Sequence, residues 1–419
     1  MDVTVIPGHR GRHLFDGILD SRIRRFEALT DAIPDLIVFP CGQDRRLDKA
    51  RSIKVPVEVQ RRISEGRVGL VFDASTEGVM HKPDISDAMH AVVEHFHSEP
   101  ERCIYVTQDR SYQGDYLAHC ARSGRARPVH VLVHDYWIWD SVSHFADSGQ
   151  MAFAQRLASF RSRKDQRPRR FLSLNRTARP IKVLFLLRLL RDALWDSGFI
   201  SFGGFQTEGQ GPGKPRPSRE EMARALPGFE DLVDDLMPHM DRLASTGRRL
   251  LGMDRHGWSQ LELWNAGMAA DLAEYADSWF SVVTETEMRA RPSRITEKTL
   301  TPLVNFHPLI LFGNPGGLRM VRDYGFVTFE NVIDESYDEE LDPRRRFDRA
   351  YSEFERLCRL DERALLRIEK EIEDRLTFNV QWGLTRLPAE IRRTRDAALV
   401  DTILGVTGLD PQSGHVDQR

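Results

Sequence analysis

The sequence predicts an α/β protein made of two Rossmann-like domains and a helical C-terminal segment. Three observations predict it. Short continuous apolar runs alternate with amphipathic stretches over residues 1–165. A second alternation of the same kind starts at Phe171, and after residue 340 comes a charged tract without strand signals. Continuous apolar runs suit strands buried on both faces of a parallel sheet, with helices as the crossovers.

In the first domain, 1–165, the runs 36–39, 68–72, 103–107 and 129–133 read as strands, and 85–96 carries apolar residues at helical spacing. Residues 161–170 then hold six cations (Arg161, Arg163, Lys164, Arg167, Arg169 and Arg170), a pattern that suits a solvated linker or a track for a polyanion. The second domain, 166–340, opens on the strand 171–174 and the long apolar helix 180–195, with a short strand at 200–202. A loop rich in Gly and Pro covers 203–217. Helices are expected over 218–244 and 259–275, then a strand at 280–284, a helix at 296–304, a strand at 309–312 and a helix at 317–324. The tail 341–419 reads as charged helices that pack across the domains and offer a surface for self-association.

Composition bounds the function. With 60 basic against 63 acidic side chains the net charge is −3, so no global field attracts nucleic acid. The four cysteines are scattered without a Cys-x-x-Cys pair, which argues against zinc ribbons and disulfide frameworks. No apolar run reaches the ~18 residues needed to span a bilayer. The N-terminus lacks a secretory pattern, and a cytoplasmic location is expected.

Several motifs fail on inspection. The cluster Gly209-Gln210-Gly211-Pro212-Gly213-Lys214 has Pro215 where a phosphate-binding P-loop needs Ser or Thr. There is no Asp-x-Asp triplet, no tight metal-ligand spacing and no Gly-x-Ser-x-Gly elbow, so no metal site and no hydrolase are expected.

The informative segment is 282–329. A buried strand ends at Thr284-Glu285, a loop with Arg289, Arg291 and Arg294 follows, and Thr296 stands at a helix N-cap with Glu297 and Lys298 in the first turn. Ligands of open α/β sheets bind at this carboxyl edge, where a helix start favours phosphate. Lys298 then pairs with a diphosphate and Glu297 accepts from ribose hydroxyls. The same pattern also suits a plain capped helix with a solvent-facing Glu-Lys pair.

Arg294-Ile295-Thr296-Glu297-Lys298-Thr299-Leu300, read with Val283-Thr284-Glu285, resembles the donor-site signature of the α-1,3-fucosyltransferases. Phe171-Leu172-Ser173-Leu174-Asn175-Arg176 is similar to the strand, turn and phosphate-binding arginine that open their donor domain. Downstream, 306–329 with Asn314-Pro315-Gly316 and then 334–338 resembles uncharacterised bacterial and phage glycosyltransferase-like proteins. The resemblance implies a GT-B fold and an inverting, metal-independent sugar transfer from a nucleotide-sugar to a glycan or other hydroxyl acceptor, with no cofactor. It assigns donor binding to Asn175, Arg176, Glu285, Arg294, Thr296, Glu297 and Lys298. Arg294 replaces the family's aromatic residue, so GDP-fucose does not follow.

An inverting transferase needs a carboxylate base, and Asp73 and Glu77, after the strand 68–72, are the candidates, with Asp109 third. Three other readings stand beside this one. His307-Pro308 resembles the His-Pro pair of transferases that use CMP-sugars of the Kdo and sialic type. The basic run 161–170 suits an enzyme that modifies nucleic acid. The whole pattern also suits a GT-B-like binding protein without catalysis.

Overall fold

The computed structural model describes residues 2–5, 24–26, 34–41, 47–76, 80–143, 145, 148–163, 167–206, 214–251, 272–291 and 293–409. Two compact units emerge. One comprises Met1–Asp140 with Ala389–Arg419, the other Ser141–Pro388.

The first unit is built on a six-stranded, wholly parallel sheet ordered β2-β1-β3-β4-β5-β6. The strands are β1 (Asp2–Val5), β2 (Arg24–Phe26), β3 (Leu36–Pro40), β4 (Gly69–Asp73), β5 (Cys103–Thr107) and β6 (His130–Val133). β4 and β5 are buried at every position, as central parallel strands must be when helices cover both faces. The helices between and after these strands include α1 (Val57–Ser64), α2 (Pro83–His95) and α3 (Tyr112–Arg122). α2 turns Met89, Val92 and Val93 into a core shared with Ile63 and Val59 of α1 and with Phe39 and Phe72 of the sheet. The closing helix, Ala397–Thr407, packs on β5 and brings Thr407 against Gly69. A β-carbon at Gly69 would stand 2.5 Å from the Thr407 side chain, so glycine there admits the helix.

The second unit holds a four-stranded parallel sheet ordered β10-β9-β7-β8, with β7 (Phe171–Asn175), β8 (Gly198–Phe202), β9 (Phe280–Thr284) and β10 (Leu309–Phe312). The chain leaves β7 toward β8 on one side and later returns to β9 on the other. The β7/β9 boundary is therefore the topological switch point, the place where open α/β sheets bind ligands. Its helices include α4 (Gly149–Arg161), α5 (Pro180–Arg191), α6 (Glu297–Leu303), α7 (Gly317–Asp323), α8 (Pro343–Arg359) and α9 (Glu362–Glu371). α5 is apolar nearly all round and is correspondingly buried. α8 covers the sheet with an aromatic layer: Phe354 lies 5.0 Å from Phe171, and Phe347 lies 5.2 Å from Phe312, which in turn meets Phe185 at 5.0 Å.

The sequence boundaries at 165 and 340 and the structural ones at 140 and 388 differ for identifiable reasons. α4 belongs with the second unit because Phe160 stacks on Phe306 at 4.4 Å and Arg156 donates to the Val304 carbonyl at 2.6 Å. The tail divides, with α8 and α9 in the second unit and the closing helix in the first. β1 and β2 had no sequence signal. The expected helix 218–244 is three short ones (Arg219–Ala225, Glu230–Leu236 and Met240–Ser245). Pro227-Gly228 separates the first two, with Gly228 at φ 84°, and Pro238 lies just before the third. Most of the expected helix 259–275 lies outside the described residues. No described helix is long and apolar enough to cross a membrane.

Arg346 of α8 holds the carboxyl edge of this unit from behind. Its guanidinium, 1% exposed, donates to the carbonyls of Gly313 (2.9 Å), Glu340 (2.5 Å) and Leu341 (3.3 Å), and also to that of Arg289. Arg346→Met removes these donors and leaves buried carbonyls unsatisfied, so a loss of about 3 kcal/mol or more is expected in urea unfolding.

Candidate functional site

At the switch point three strands end side by side. Asn175, at the end of β7, is fully buried; it accepts a hydrogen bond from the Thr284 hydroxyl of β9 and donates to Ser173 Oγ at 2.9 Å. The residue expected to bind donor is thus the tie that joins β7 to β9.

Glu285 follows β9 directly and is 3% exposed. Its carboxylate accepts from the Thr296 backbone N–H (2.9 Å), from Thr296 Oγ1 (2.9 and 3.0 Å) and from Thr299 Oγ1 (2.6 Å). These bonds fold the 285–296 loop back on the strand and fix the start of α6. Thr296 is the N-cap, with its hydroxyl 3.4 Å from the Lys298 N–H. Lys298 Nζ lies 2.8 Å from Glu297 Oε1 and 3.2 Å from Thr296 Oγ1. Burial opposes the charge on Glu297, but the Lys298 ammonium outweighs it and holds the carboxyl below its usual range. Burial likewise opposes the charge on Lys298, yet Glu297 and Glu285 raise its pKa. Both side chains keep partial exposure, 22% for Glu297 and 35% for Lys298, enough for a ligand to reach them.

Arg176 follows β7 and is half-buried. Burial, with the neighbouring Arg248 guanidinium, lowers its pKa. Arg248 is brought there by an antiparallel bridge in which Phe202 of β8 and Arg249 exchange hydrogen bonds at 2.6 and 2.8 Å. Gly203 passes so close to the Arg176 carbonyl that a β-carbon would stand 1.7 Å away. Arg294 lies 3.7 Å from Glu287, which Arg289 also meets at 2.6 Å. Arg176 with Arg248 follows β7, and Lys298 with Arg294 and the acceptor Glu297 follows β9, so both groups stand at the carboxyl edge of the sheet. That combination suits an anionic ligand carrying hydroxyl groups.

Two functional-looking residues escaped sequence reasoning. Arg248 sits in an irregular segment without pattern. Lys182 hides in an apolar helix, 2% exposed, with Lys298, Glu285, Glu297 and Arg179 as its charged neighbours. Burial, with Lys298 next, pushes its pKa down to about 7.

Other sequence candidates fall elsewhere. In the first unit Asp73 ends β4, 3% exposed, and accepts the Ser75 N–H at 2.9 Å. Asp109 accepts from the Ser111 N–H and hydroxyl at 2.9 and 2.8 Å. Glu77 and residues 209–213 of the glycine cluster lie outside the described residues. His307 is fully buried ahead of β10, at the opposite sheet edge from the switch point. Its Nε2 donates to the carbonyls of Tyr275 (2.7 Å) and Ser278 (3.0 Å), and its Nδ1 accepts from Ser281 Oγ at 3.0 Å. With both nitrogens engaged, and burial holding it neutral, it is a structural histidine with no place for a CMP-sugar phosphate. Nor is the basic run a solvated track throughout. Arg167 pairs with Glu369 at 2.6 Å and lies 4.0 Å over the Trp279 ring, while Arg163 donates to the carbonyls of Phe306 (3.2 Å) and Asn305 (3.1 Å).

No protein-family model matches the chain, nor does any curated protein. Among solved structures, an α,α-trehalose 6-phosphate synthase from Burkholderia multivorans shows a distant likeness. It is 14% identical over 88% of this chain and 72% of its own, with a TM-score of 0.33. So distant a likeness assigns neither activity nor substrate.

The Glu285 cluster yields a direct test. Glu285→Gln keeps the shape but turns an amide N–H₂ toward hydroxyl and backbone donors. A loss of about 2 kcal/mol in unfolding free energy is expected, since one polar partner at least is left buried and unpaired.

Proposed function

We propose that the chain is a glycosyltransferase of GT-B type that transfers a sugar from a nucleotide-sugar to an acceptor hydroxyl. The observation that carries this reading is that Arg176 and Lys298 lie on the segments that follow β7 and β9, the strands flanking the switch point, with Arg248 beside Arg176 and Glu297 beside Lys298. In this reading the cations neutralise the diphosphate, without a metal, and Glu297 accepts from the ribose hydroxyls. The resemblance of 171–176 and 283–300 to the fucosyltransferase donor domain supports it from the sequence side.

The chemistry follows from the donor. The acceptor oxygen attacks the anomeric carbon and gives its proton to a carboxylate; the bond from carbon to phosphate oxygen breaks, and the nucleoside diphosphate leaves with that electron pair. Protein cations favour this step because negative charge grows on the leaving diphosphate. Direct displacement inverts the anomeric centre, and Asp73 or Glu77 is the proposed base.

A thermal-shift panel of GDP, UDP, CMP and dTDP with their sugars tests the reading. A matching nucleotide at about 100 times its Kd adds about 2.7 kcal/mol and raises the melting temperature by several degrees. Lys298→Ala and Arg176→Ala should abolish that rise. Stabilisation by none of them sinks the transferase reading. With the donor identified, Asp73→Asn and Glu77→Gln are compared for kcat; the base is the one whose loss lowers it by about 100-fold or more.

A further inference from the structure

The mixed charges of α8 and α9 are sorted by the fold. Their acids are engaged within the unit. Asp348 bridges Arg188 and Arg344, each at 2.8 Å, and Glu353 accepts the Asp334 N–H at 3.0 Å. Glu369 holds the buried Arg167 guanidinium at 2.6 Å, and Asp361 caps α9 by accepting the Ala364 N–H at 2.7 Å. The outer positions are left to cations. The exposed residues of α8 are Arg345, Arg349, Ser352, Arg356 and Arg359, and those of α9 are Arg363, Arg367, Lys370 and Glu371.

At 3.6 residues per turn the four arginines of α8 fall within about 40° of one line, which runs about 21 Å along the helix. Arg363, Arg367 and Lys370 share one face of α9 in the same way. Leu357 of α8 and Leu365 and Ile368 of α9 line one small cavity against Trp279 and Phe280, so the outer faces of both helices look away from common ground. Like charges three and four residues apart weaken a helix slightly. Glu353 and Glu355 relieve Arg356 and Arg359, and Glu340 lies 3.8 Å from Arg349. Arg345, Arg363, Arg367 and Lys370 have no ion-pair partner among the described residues.

A row of arginines fits a row of phosphates, because the planar guanidinium meets phosphate oxygens with two parallel hydrogen bonds. A lipid surface fits less well. An interfacial helix buries an apolar face in the membrane, and the sheet already takes that face of α8 through Phe347 and Phe354. Unpaired strands are held largely by stacking on aromatic rings, and no aromatic side chain stands among the exposed positions of these two helices. We propose that the outer face of α8 and α9 docks the phosphate backbone of a nucleic-acid duplex. Contacts of this kind fix position without reading sequence. The net charge of −3 is no obstacle, since the field that a duplex meets here is that of the local row.

Fluorescence anisotropy of the full chain with labelled DNA and RNA duplexes, across a salt series, tests the surface. Two duplexes of unrelated sequence should bind alike. On DNA the logarithm of the binding constant falls with the logarithm of salt by about 0.9 per phosphate neutralised. The quadruple variant Arg345→Gln, Arg349→Gln, Arg363→Gln and Arg367→Gln should weaken binding about tenfold or more and make that slope shallower by about three to four. Lysine at the same four positions should keep the slope. Both variants should melt close to the wild type, because all four side chains are exposed. Co-sedimentation with vesicles of phosphatidylglycerol and phosphatidylcholine is measured alongside. The proposal is overturned if the wild type binds no duplex at low salt, or if the glutamine variant binds as well as the wild type. Binding to vesicles in place of duplexes, or tighter binding to a single strand, overturns it too. A nucleotide-sugar shift without duplex binding removes this surface and leaves the transferase reading; duplex binding without any such shift does the reverse.

Discussion

The carboxylate of Glu285 is the constraint on which the second unit's functional edge depends. A buried carboxylate has to be hydrogen-bonded and electrically compensated, or it destabilises the fold by several kcal/mol. Glu285 meets both demands locally. Thr296 and Thr299 supply the hydrogen bonds, and Lys182 and Lys298 are the neighbouring positive charges. The loop between β9 and α6 consequently cannot swing away without stranding that charge. Arg346 reinforces the same loop from α8, through the Arg289 carbonyl. Site geometry is thus set by charge burial more than by helix propensity, since α6 is only seven residues long and carries Pro302.

What was legible in the sequence follows from this. The apolar runs of β3, β4, β5, β7, β9 and β10 announce themselves because central parallel strands bury both faces. Thr296 was readable as a cap because capping chemistry is local. The roles of Asn175 and Glu285 were not, because each depends on a partner across the sheet or loop: Thr284 for one, Thr296 and Thr299 for the other. Burial of charge is equally silent in one dimension. Arg163 and Arg167 sit in a run that reads as solvated, and only Trp279, Glu369 and the carbonyls of Asn305 and Phe306 make them interior residues. The pair β1 and β2 escaped because Asp2–Val5 and Arg24–Phe26 are short and mix polar or charged residues with apolar ones, without the continuous apolar run that marks the equally short β10.

His307 and Lys182 make an instructive pair. Both are buried and both have their proton affinity lowered by that burial. The histidine has a partner for each nitrogen, so its burial is resolved within the protein and its chemistry is spent. The lysine has no hydrogen-bond acceptor among the described residues, and its burial is resolved only by the mixed charges of Glu285, Glu297 and Lys298 nearby. A group whose environment is left incomplete by the fold is a better functional candidate than one that a motif alone picks out.

The same logic orders the cations of the edge. Lys298 already has Glu297 as a partner at 2.8 Å, so an arriving anion must compete for it and the gain is a difference between two ion pairs. Even a partly exposed pair of that kind contributes only modestly. Arg176 and Arg248 repel each other, which an anion placed near both would relieve, but Arg248 is exposed and its interaction is screened by solvent. Lys182 is shielded from solvent, so an anion that reaches it meets a weakly screened charge together with the start of a twelve-residue helix.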